Sequence, residues 1–470
     1  MSALDSDRIA SFIACIRPLL DRNGVLEGDA VGPARDRDAT EVPGTRPLAL
    51  LRPRNAAELS SILSVASQTR QSIVIQGGRT GLAGGARPRE GEVAVSLERL
   101  RALSLVDEAN ATIDAEAGVP LELVQKAARE ANLYFGIDLG ARGTATVGGM
   151  ISTNAGGIRV LRHGMFRDQV AGIEGVLADG TVVDSLRGLP KDNAGYDLRQ
   201  LFIGTEGTLG VVTKAKLRLS PAPVTESAAL LSLGSVADAI TLLAFLRTRI
   251  GDLLAAFEMM LPNVYEGSVA HGGLQPPLPF GAAIYVLTDI QGRMPEADTA
   301  RFHAALAETI EGGLVQDAVL SSSGREFHGL WAIREGINDY IFAQGEACGL
   351  DVGVPLAGIS SFLSDAERRV CAIDDRARVF VFGHLGDGNL HYIVQTDNAD
   401  AVTGAVLEAA AKAGGTISAE HGIGQDKREW LHLCRSEADI AIMRRLKRAL
   451  DPAGILNPER VIPNSTAHTQ

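Results

Sequence analysis

The feature that most constrains this chain is where its glycines fall. Of 52 glycines, 23 lie between Gly77 and Gly210, where an even spread over that stretch would give about 15. They form three clusters. The first is Gly77-Gly78-Arg79-Thr80-Gly81-Leu82-Ala83-Gly84-Gly85, and the second runs from Gly140 through Gly143, Thr144, Gly148 and Gly149 to Asn154-Ala155-Gly156-Gly157. The third is Gly204-Thr205-Glu206-Gly207-Thr208-Leu209-Gly210. Without Cβ atoms, successive backbone N–H groups can turn inward and cradle an anion. One such cluster is explained as readily by an ordinary turn. Three, separated by strand-like and helix-like runs, fit one extended ligand lying along several loops, and a dinucleotide with a pyrophosphate bridge is such a ligand. None reads G-x-G-x-x-G or G-x-x-x-x-G-K-[ST], which argues against the common dinucleotide fingerprint and the P-loop.

The chain has 470 residues, enough for two or three domains with their own cores. A formal charge of −12 argues against a general nucleic-acid binder. No apolar run approaches the ~18 residues of a membrane span, and the first ten residues, with Asp5 and Asp7, lack a basic-then-apolar signal pattern. Cys15, Cys348, Cys371 and Cys434 are scattered, with no C-x-x-C pair. The expectation is a cytoplasmic protein with reduced thiols, and no cysteine-bound zinc or iron–sulfur cluster.

Residues 55–70 have helical periodicity, with Asn55 as cap and Glu58 three places later. The run 72–76 reads as a short buried strand ending at Gly77-Gly78. A helix is expected at 120–132, with Pro120 in its first turn, and a hairpin at 170–178 and 181–184 around Asp179-Gly180. Ser220-Pro221-Ala222-Pro223 looks like a domain boundary. Beyond it, 235–250 and 295–312 read as helices, the latter with Asp298 and Glu308 on a solvated face. The runs 281–288, 378–382 and 390–395 read as strands, and Gly/Pro-rich 264–280 as an irregular loop. Ser436 caps a last helix, which Asp451-Pro452 stops after Leu450.

Four of the nine histidines, His384, His391, His421 and His432, fall close together in sequence. In GHLGDGNLH, His384 and His391 flank Asp387-Gly388, a type I′-like turn signal. On one straight strand a spacing of seven points side chains to opposite faces, whereas a hairpin can bring both imidazoles to one rim. Glu420-His421-Gly422-Ile423-Gly424 adds a carboxylate beside a third imidazole. Two imidazoles and a carboxylate suit a borderline divalent metal, zinc first, with manganese or iron as alternatives. The competing reading is that both histidines only bond backbone around a tight turn. His432, in REWLHLC, reads as a surface or structural residue.

The order of these motifs resembles the FAD-binding domain of the vanillyl-alcohol oxidase / p-cresol methylhydroxylase superfamily. The resemblance runs from about Pro53 to Pro221 through ARGTATVGGMISTNAGG and KDNAGYDLRQLFIGTEGTLGVVT, with a terminal DPAGILNP. It implies an α+β fold: a two-subdomain PCMH-type FAD-binding domain (1–222), a substrate or cap domain with an antiparallel sheet flanked by helices (223–415), and a small helical C-terminal segment (416–470) completing the active site and flavin pocket. By the same resemblance, the loop Gly77, Gly78, Arg79, Thr80, Gly81 and Leu82 and the stretch with Gly140, Gly143, Thr144, Gly148 and Gly149 hold the pyrophosphate. Asn154, Gly156 and Gly157 would lie near the flavin, Gly204, Glu206, Gly210 and Val212 at the adenosine end, and Asn457 against the isoalloxazine. The first loop has no histidine for a covalent flavin link, so non-covalent FAD is expected.

GHLGDGNLH and E-H-G-I-G further resemble the D-2-hydroxyacid dehydrogenases, including D-lactate, glycolate and D-2-hydroxyglutarate types. That resemblance makes His384, His391 and Glu420 metal ligands and His421 the catalytic base. It makes WAIREGIN the substrate-anchoring helix, with Arg334 holding a carboxylate, and Asn338 and Asn389 as further substrate contacts. Fifteen residues past Arg334, where dicarboxylate-using relatives usually carry lysine, this chain has Gly349. The expected activity is FAD- and metal-dependent oxidation of a D-2-hydroxy acid, D-2-hydroxyglutarate slightly ahead of D-lactate, D-malate or a bulkier acid. Electrons would pass to an electron-transfer flavoprotein or a quinone, and a homodimer is left open. Two alternatives stand beside it: a metal hydrolase using His384, His391 and Glu420, and a flavin-binding electron-transfer or regulatory protein without turnover.

Overall fold

The computed structural model describes residues 3–463. They divide into two compact units, one made of 3–156, 165–221 and 420–463, the other of 157–164 and 222–419. The chain passes between them at Pro221/Ala222 and Ala419/Glu420, and residues 157–164 form a short excursion into the second unit. Among the described residues no helix is long and apolar enough to cross a membrane.

The first unit contains two four-stranded sheets. In one, Val25–Glu27, Ala49–Leu51, Val93–Ser96 and Ile73–Gln76 lie in that order, the first pair antiparallel and the rest parallel. The helix Ala56–Thr69 covers it because Leu59, Ile62, Leu63 and Ala66 recur at helical spacing and are all fully buried. Asn55 caps that helix by accepting the Glu58 N–H at 2.9 Å. The other sheet is antiparallel, in the order Thr112–Glu116, Val211–Arg218, Val170–Val176, Val182–Ser185. The expected hairpin is present, with Gly180 at φ +91 in its turn. Pro120 precedes the helix Leu121–Glu130 as its cap residue.

The C-terminal stretch belongs to this unit. Ser436 and Asp439 form a reciprocal capping box for Glu437–Leu450. Asp451 then accepts the N–H groups of Ile455 and Leu456 at 3.0 and 2.9 Å. This turns the chain so that Leu456 pairs with Ile73 beside the first sheet.

The second unit is built on one seven-stranded antiparallel sheet. Its order is Val315–Leu320, Thr225–Leu233, Ile284–Gly292, Leu254–Met260, Arg378–Gly383, Asn389–Gln395 and Cys348–Gly353. Helices Pro262–His271, Gly324–Glu335 and Ile337–Phe342 share a core with Tyr285, Phe380, Phe382 and Ile393 of that sheet.

Three sequence expectations need correction. The stretch 264–280 is not all loop: Pro262–His271 is helical, with proline at its first position. Its Gly267 is a packing residue, since a Cβ there would stand 1.9 Å from Tyr340 Cζ. Asp298 is not solvated; it is 5% exposed and accepts the Arg293 and Met294 N–H groups at 2.8 and 2.7 Å. The loop 384–388 is not a two-residue I′ turn, because Gly388 takes a positive φ (+81) and Asp387 does not.

The Asp298 correction predicts a contrast between two acidic residues of one helix. Asp298→Ala leaves two backbone donors without their acceptor and is expected to cost about 1–3 kcal/mol. Glu308→Ala breaks only an exposed pair with Arg249 and should cost under about 1 kcal/mol. Urea-unfolding midpoints measure both.

Candidate functional site

In the first unit, a groove of about 220 Å³ is lined by Gly77, Gly78, Arg79, Gly143, Thr144 and Thr146 among others. Two of these glycines, Gly77 and Gly78, and the nearby Gly148 are required by close packing. A Cβ on Gly78 would stand 2.0 Å from the Thr144 carbonyl oxygen, and one on Gly148 2.6 Å from Ala117 Cβ. On Gly77 it would stand 2.6 Å from Thr146 Oγ1. That hydroxyl is buried and, among the described residues, has no hydrogen-bond partner, so a ligand oxygen can take it. Thr146 was not singled out in the sequence because it sits among small residues in a run read for its glycines. Gly140 meets open space, and Leu82 is largely exposed.

Several residues assigned to the nucleotide also hold the unit together. The Glu206 carboxylate accepts the Ile423 N–H at 2.7 Å and the Gly424 N–H at 2.8 Å. Burial pushes its pKa up, against those two bonds. Glu206 thus fixes the loop that follows His421, and a Cβ on Gly424 would stand 1.8 Å from the Ala83 carbonyl oxygen. Asn457 accepts the Ile75 N–H at 2.8 Å and donates to the Glu206 carbonyl at 2.6 Å. Its carboxamide therefore binds backbone at both ends. Val212 is a core residue, 1% exposed, and Gly210 lies under the Phe202 ring. Asn154, at φ +51, accepts the Arg167 N–H. Gly204 is in the left-handed region at φ +76. Gly156 ends the first unit's opening segment, and Gly157 begins the excursion into the second.

The second unit assembles the histidine site. Phe382 pairs with His391 across the hairpin, and Gly383 follows at φ +146, with room for no Cβ against the Asn389 carbonyl. The N–H groups of Asp387, Gly388 and Asn389 converge on the His384 carbonyl at 3.1–3.2 Å. The two imidazoles consequently stand with ring centroids 5.2 Å apart, at 82° to each other.

One carboxylate organises this site. Glu258, 1% exposed on the strand Leu254–Met260, contacts His384 Nδ1 through one oxygen at 2.7 Å. Through the other it accepts from Arg334 Nε at 2.8 Å. Burial alone would raise the Glu258 pKa; the adjacent His384 and Arg334, with their hydrogen bonds, outweigh it and hold it at about 2. The Arg334 guanidinium lies 4.7 Å over the Phe382 ring. Its two Nη groups make no hydrogen bond among the described residues. Asp351, fully buried, is 3.8 Å from His391 Nδ1 and accepts the Ala419 N–H at 3.1 Å. Ala419 is the residue before Glu420, with His421 next.

Asn389 is 4% exposed, and neither polar atom of its carboxamide has a partner among the described residues. A buried amide of this kind has hydrogen-bonding capacity to offer a ligand or a water. Asn338 is exposed on the helix after the one bearing Arg334, the two parted at Gly336, and it is outside the Glu258 hydrogen-bonded set. Gly349 faces open space opposite Ile393. His432 is exposed and bonds the Glu429 carbonyl. Glu258 and Asp351 had escaped the sequence reading. The available signal was a lone carboxylate inside an apolar strand, as in LAAFEMM, which demands a buried partner.

Comparison with known proteins gives concordant matches. Residues 47–185 match a family model described as FAD binding domain, and 222–461 one described as FAD linked oxidases, C-terminal domain. A probable mitochondrial D-2-hydroxyglutarate dehydrogenase of Oryza sativa subsp. japonica is 37% identical, over 99% of this chain and 83% of its own length. A D-2-hydroxyglutarate dehydrogenase of Xanthomonas citri pv. viticola is 38% identical over 92% of this chain and 93% of its own. Among solved structures, p-cresol methylhydroxylase with substrate bound superimposes with a TM-score of 0.78, covering 97% of each chain at 16% identity.

The packing at Gly78 yields a direct test. Gly78→Ala places a methyl group against backbone that cannot yield cheaply, and the purified variant should retain less than about a tenth of the wild-type flavin. The ratio of flavin to protein absorbance measures this, and undiminished flavin would contradict the assigned groove.

Proposed function

This chain belongs to the FAD-linked oxidase family and is an FAD-dependent oxidoreductase acting on a hydroxy acid; from that premise we propose that it oxidises a D-2-hydroxy acid to the 2-oxo acid at the Glu258–His384–Arg334 site. The observation that carries the reading is the single buried carboxylate holding an arginine and an imidazole side by side, next to the unpartnered amide of Asn389.

Bound FAD supplies the hydride acceptor, at its N5 atom. A divalent cation, zinc first with manganese or iron as alternatives, would supply a Lewis acid that lowers the pKa of the substrate hydroxyl. The residues fit such an ion. With Nδ1 of His384 turned to Glu258, Nε2 is the ring nitrogen that would ligate. His391 stands beside it with Asp351 on its own Nδ1 side. Glu420 would complete the set. Arg334 grips the substrate carboxylate with its two Nη groups, and Asn389 offers a donor and an acceptor to the reacting end. His421, held by the loop that Glu206 fixes, takes the hydroxyl proton as a neutral imidazole. The Cα–H bond breaks with its electron pair leaving as hydride, and the C–O bond becomes the carbonyl of the 2-oxo acid.

D-2-hydroxyglutarate stays slightly ahead of D-lactate, D-malate and bulkier acids, a preference supported by the names of relatives that match most of the chain. Gly349 leaves open space where a distal carboxylate would want a cation. The proposed electron acceptor is an electron-transfer flavoprotein or a quinone. The hydrolase alternative gives way, because its three ligands lie in a chain carrying both domains of an FAD-linked oxidase.

Anaerobic mixing with D- and L-2-hydroxy acids tests the reading. The flavin should bleach with the D enantiomers, and prior chelation should abolish bleaching until zinc is restored. His421→Ala should keep its flavin while the reduction rate falls about 10²–10⁴-fold. Wild-type reduction by that variant would remove His421 from the role, and indifference to chelation would remove the metal.

A further inference from the structure

We propose that Glu258 is a positioning residue that couples substrate anchoring to metal ligation, fixing through one carboxylate both the Arg334 guanidinium and the ligating tautomer of His384; this rests on the reading of the site given above. The strand register brings it there. Met259 pairs with Gly383 and Met260 with Phe382, so Glu258 comes next to His384. The other residues of Leu254–Met260 are apolar and buried. A buried carboxylate in such a strand is a burden on stability unless both its oxygens are engaged. Here each has one partner, at 2.7 and 2.8 Å.

What matters is which atoms those partners present. Arg334 approaches by Nε, which leaves both Nη groups for a ligand carboxylate. His384 approaches by Nδ1, so Nε2 is the ring nitrogen turned away from the carboxylate. An ionised carboxylate accepts at both oxygens and donates at neither, so it selects the His384 tautomer with hydrogen on Nδ1 and a lone pair on Nε2. The same carboxylate holds the guanidinium plane over Phe382. One side chain thereby sets the spacing between the group that grips the acid and the group that grips the cation.

A carboxamide of the same shape cannot do both. It accepts at one end only, and the charged Arg334 donor competes better for that oxygen. In Glu258→Gln the amide NH₂ therefore faces Nδ1 of His384 and favours the tautomer with hydrogen on Nε2, which cannot ligate. Glu258→Ala removes both contacts. The two variants separate tautomer selection from simple support.

The experiment uses the FAD-loaded protein and measures zinc affinity without substrate, by competition with a chromophoric chelator. Steady-state KM at saturating zinc is measured in parallel, with flavin content and thermal melting as checks on folding. Glu258→Gln should keep its flavin and melt close to wild type, lose about 10- to 100-fold in zinc affinity, and keep KM within about threefold. Glu258→Ala should show the zinc loss together with a KM rise of about tenfold or more. Wild-type zinc affinity in Glu258→Gln overturns the proposal, as does a zinc loss confined to Glu258→Ala, which marks Glu258 as mere support. If the wild-type protein takes up no stoichiometric zinc, the reading of the site itself fails, and the coupling falls with it.

Discussion

A carboxylate taken out of water must be repaid by its neighbours, and Glu258 shows how that requirement shapes a site. Its strand would be more stable with another apolar residue at this position, since even a well-paired buried ion rarely beats hydrophobic packing. In return the site gains definition: the arginine is held by its Nε and the histidine by its Nδ1. The hairpin serves the same end. Gly383 and Gly388, both at positive φ, turn the chain so that His384 and His391 meet nearly at right angles.

The first unit meets a different constraint, close approach of backbone to backbone. Gly78, Gly148 and Gly424 each lie where a Cβ would overlap another loop. The loops are then tied by side chains that satisfy buried N–H groups: Glu206 for Ile423 and Gly424, Asn457 for Ile75. Segments more than two hundred residues apart in sequence are joined in this way. The glycine excess of the first half of the chain is accordingly of two kinds. Part lines the groove, and part permits the packing that shapes it.

Regular elements were legible where local chemistry and tertiary packing agree. Asn55 with Glu58, and Ser436 with Asp439, announce helix starts that the structure has. Gly267 misled because a glycine inside a helix is unfavourable in isolation, and only the Tyr340 ring packed against it explains its presence. Asp298 misled because charge was read as exposure. In the site, the glycines and histidines were visible because their types and spacing are unusual. Glu258 and Asp351 were not, since each acts on a residue distant in sequence. Val212 and Asn457 were visible by motif position, but not that one fills the core and the other binds backbone. Motif position says where a residue falls along the chain; which group its side chain meets is decided by the fold.

The most direct measurement is diffraction on either side of the zinc absorption edge, from crystals of the FAD-loaded protein containing zinc and a 2-oxo acid. The expected result is a single anomalous peak ligated by His384 Nε2 and His391, with Glu258 still on Nδ1 and the acid's carboxylate on the Nη groups of Arg334. A zinc peak away from these histidines, or an acid bound without Arg334, would contradict the site.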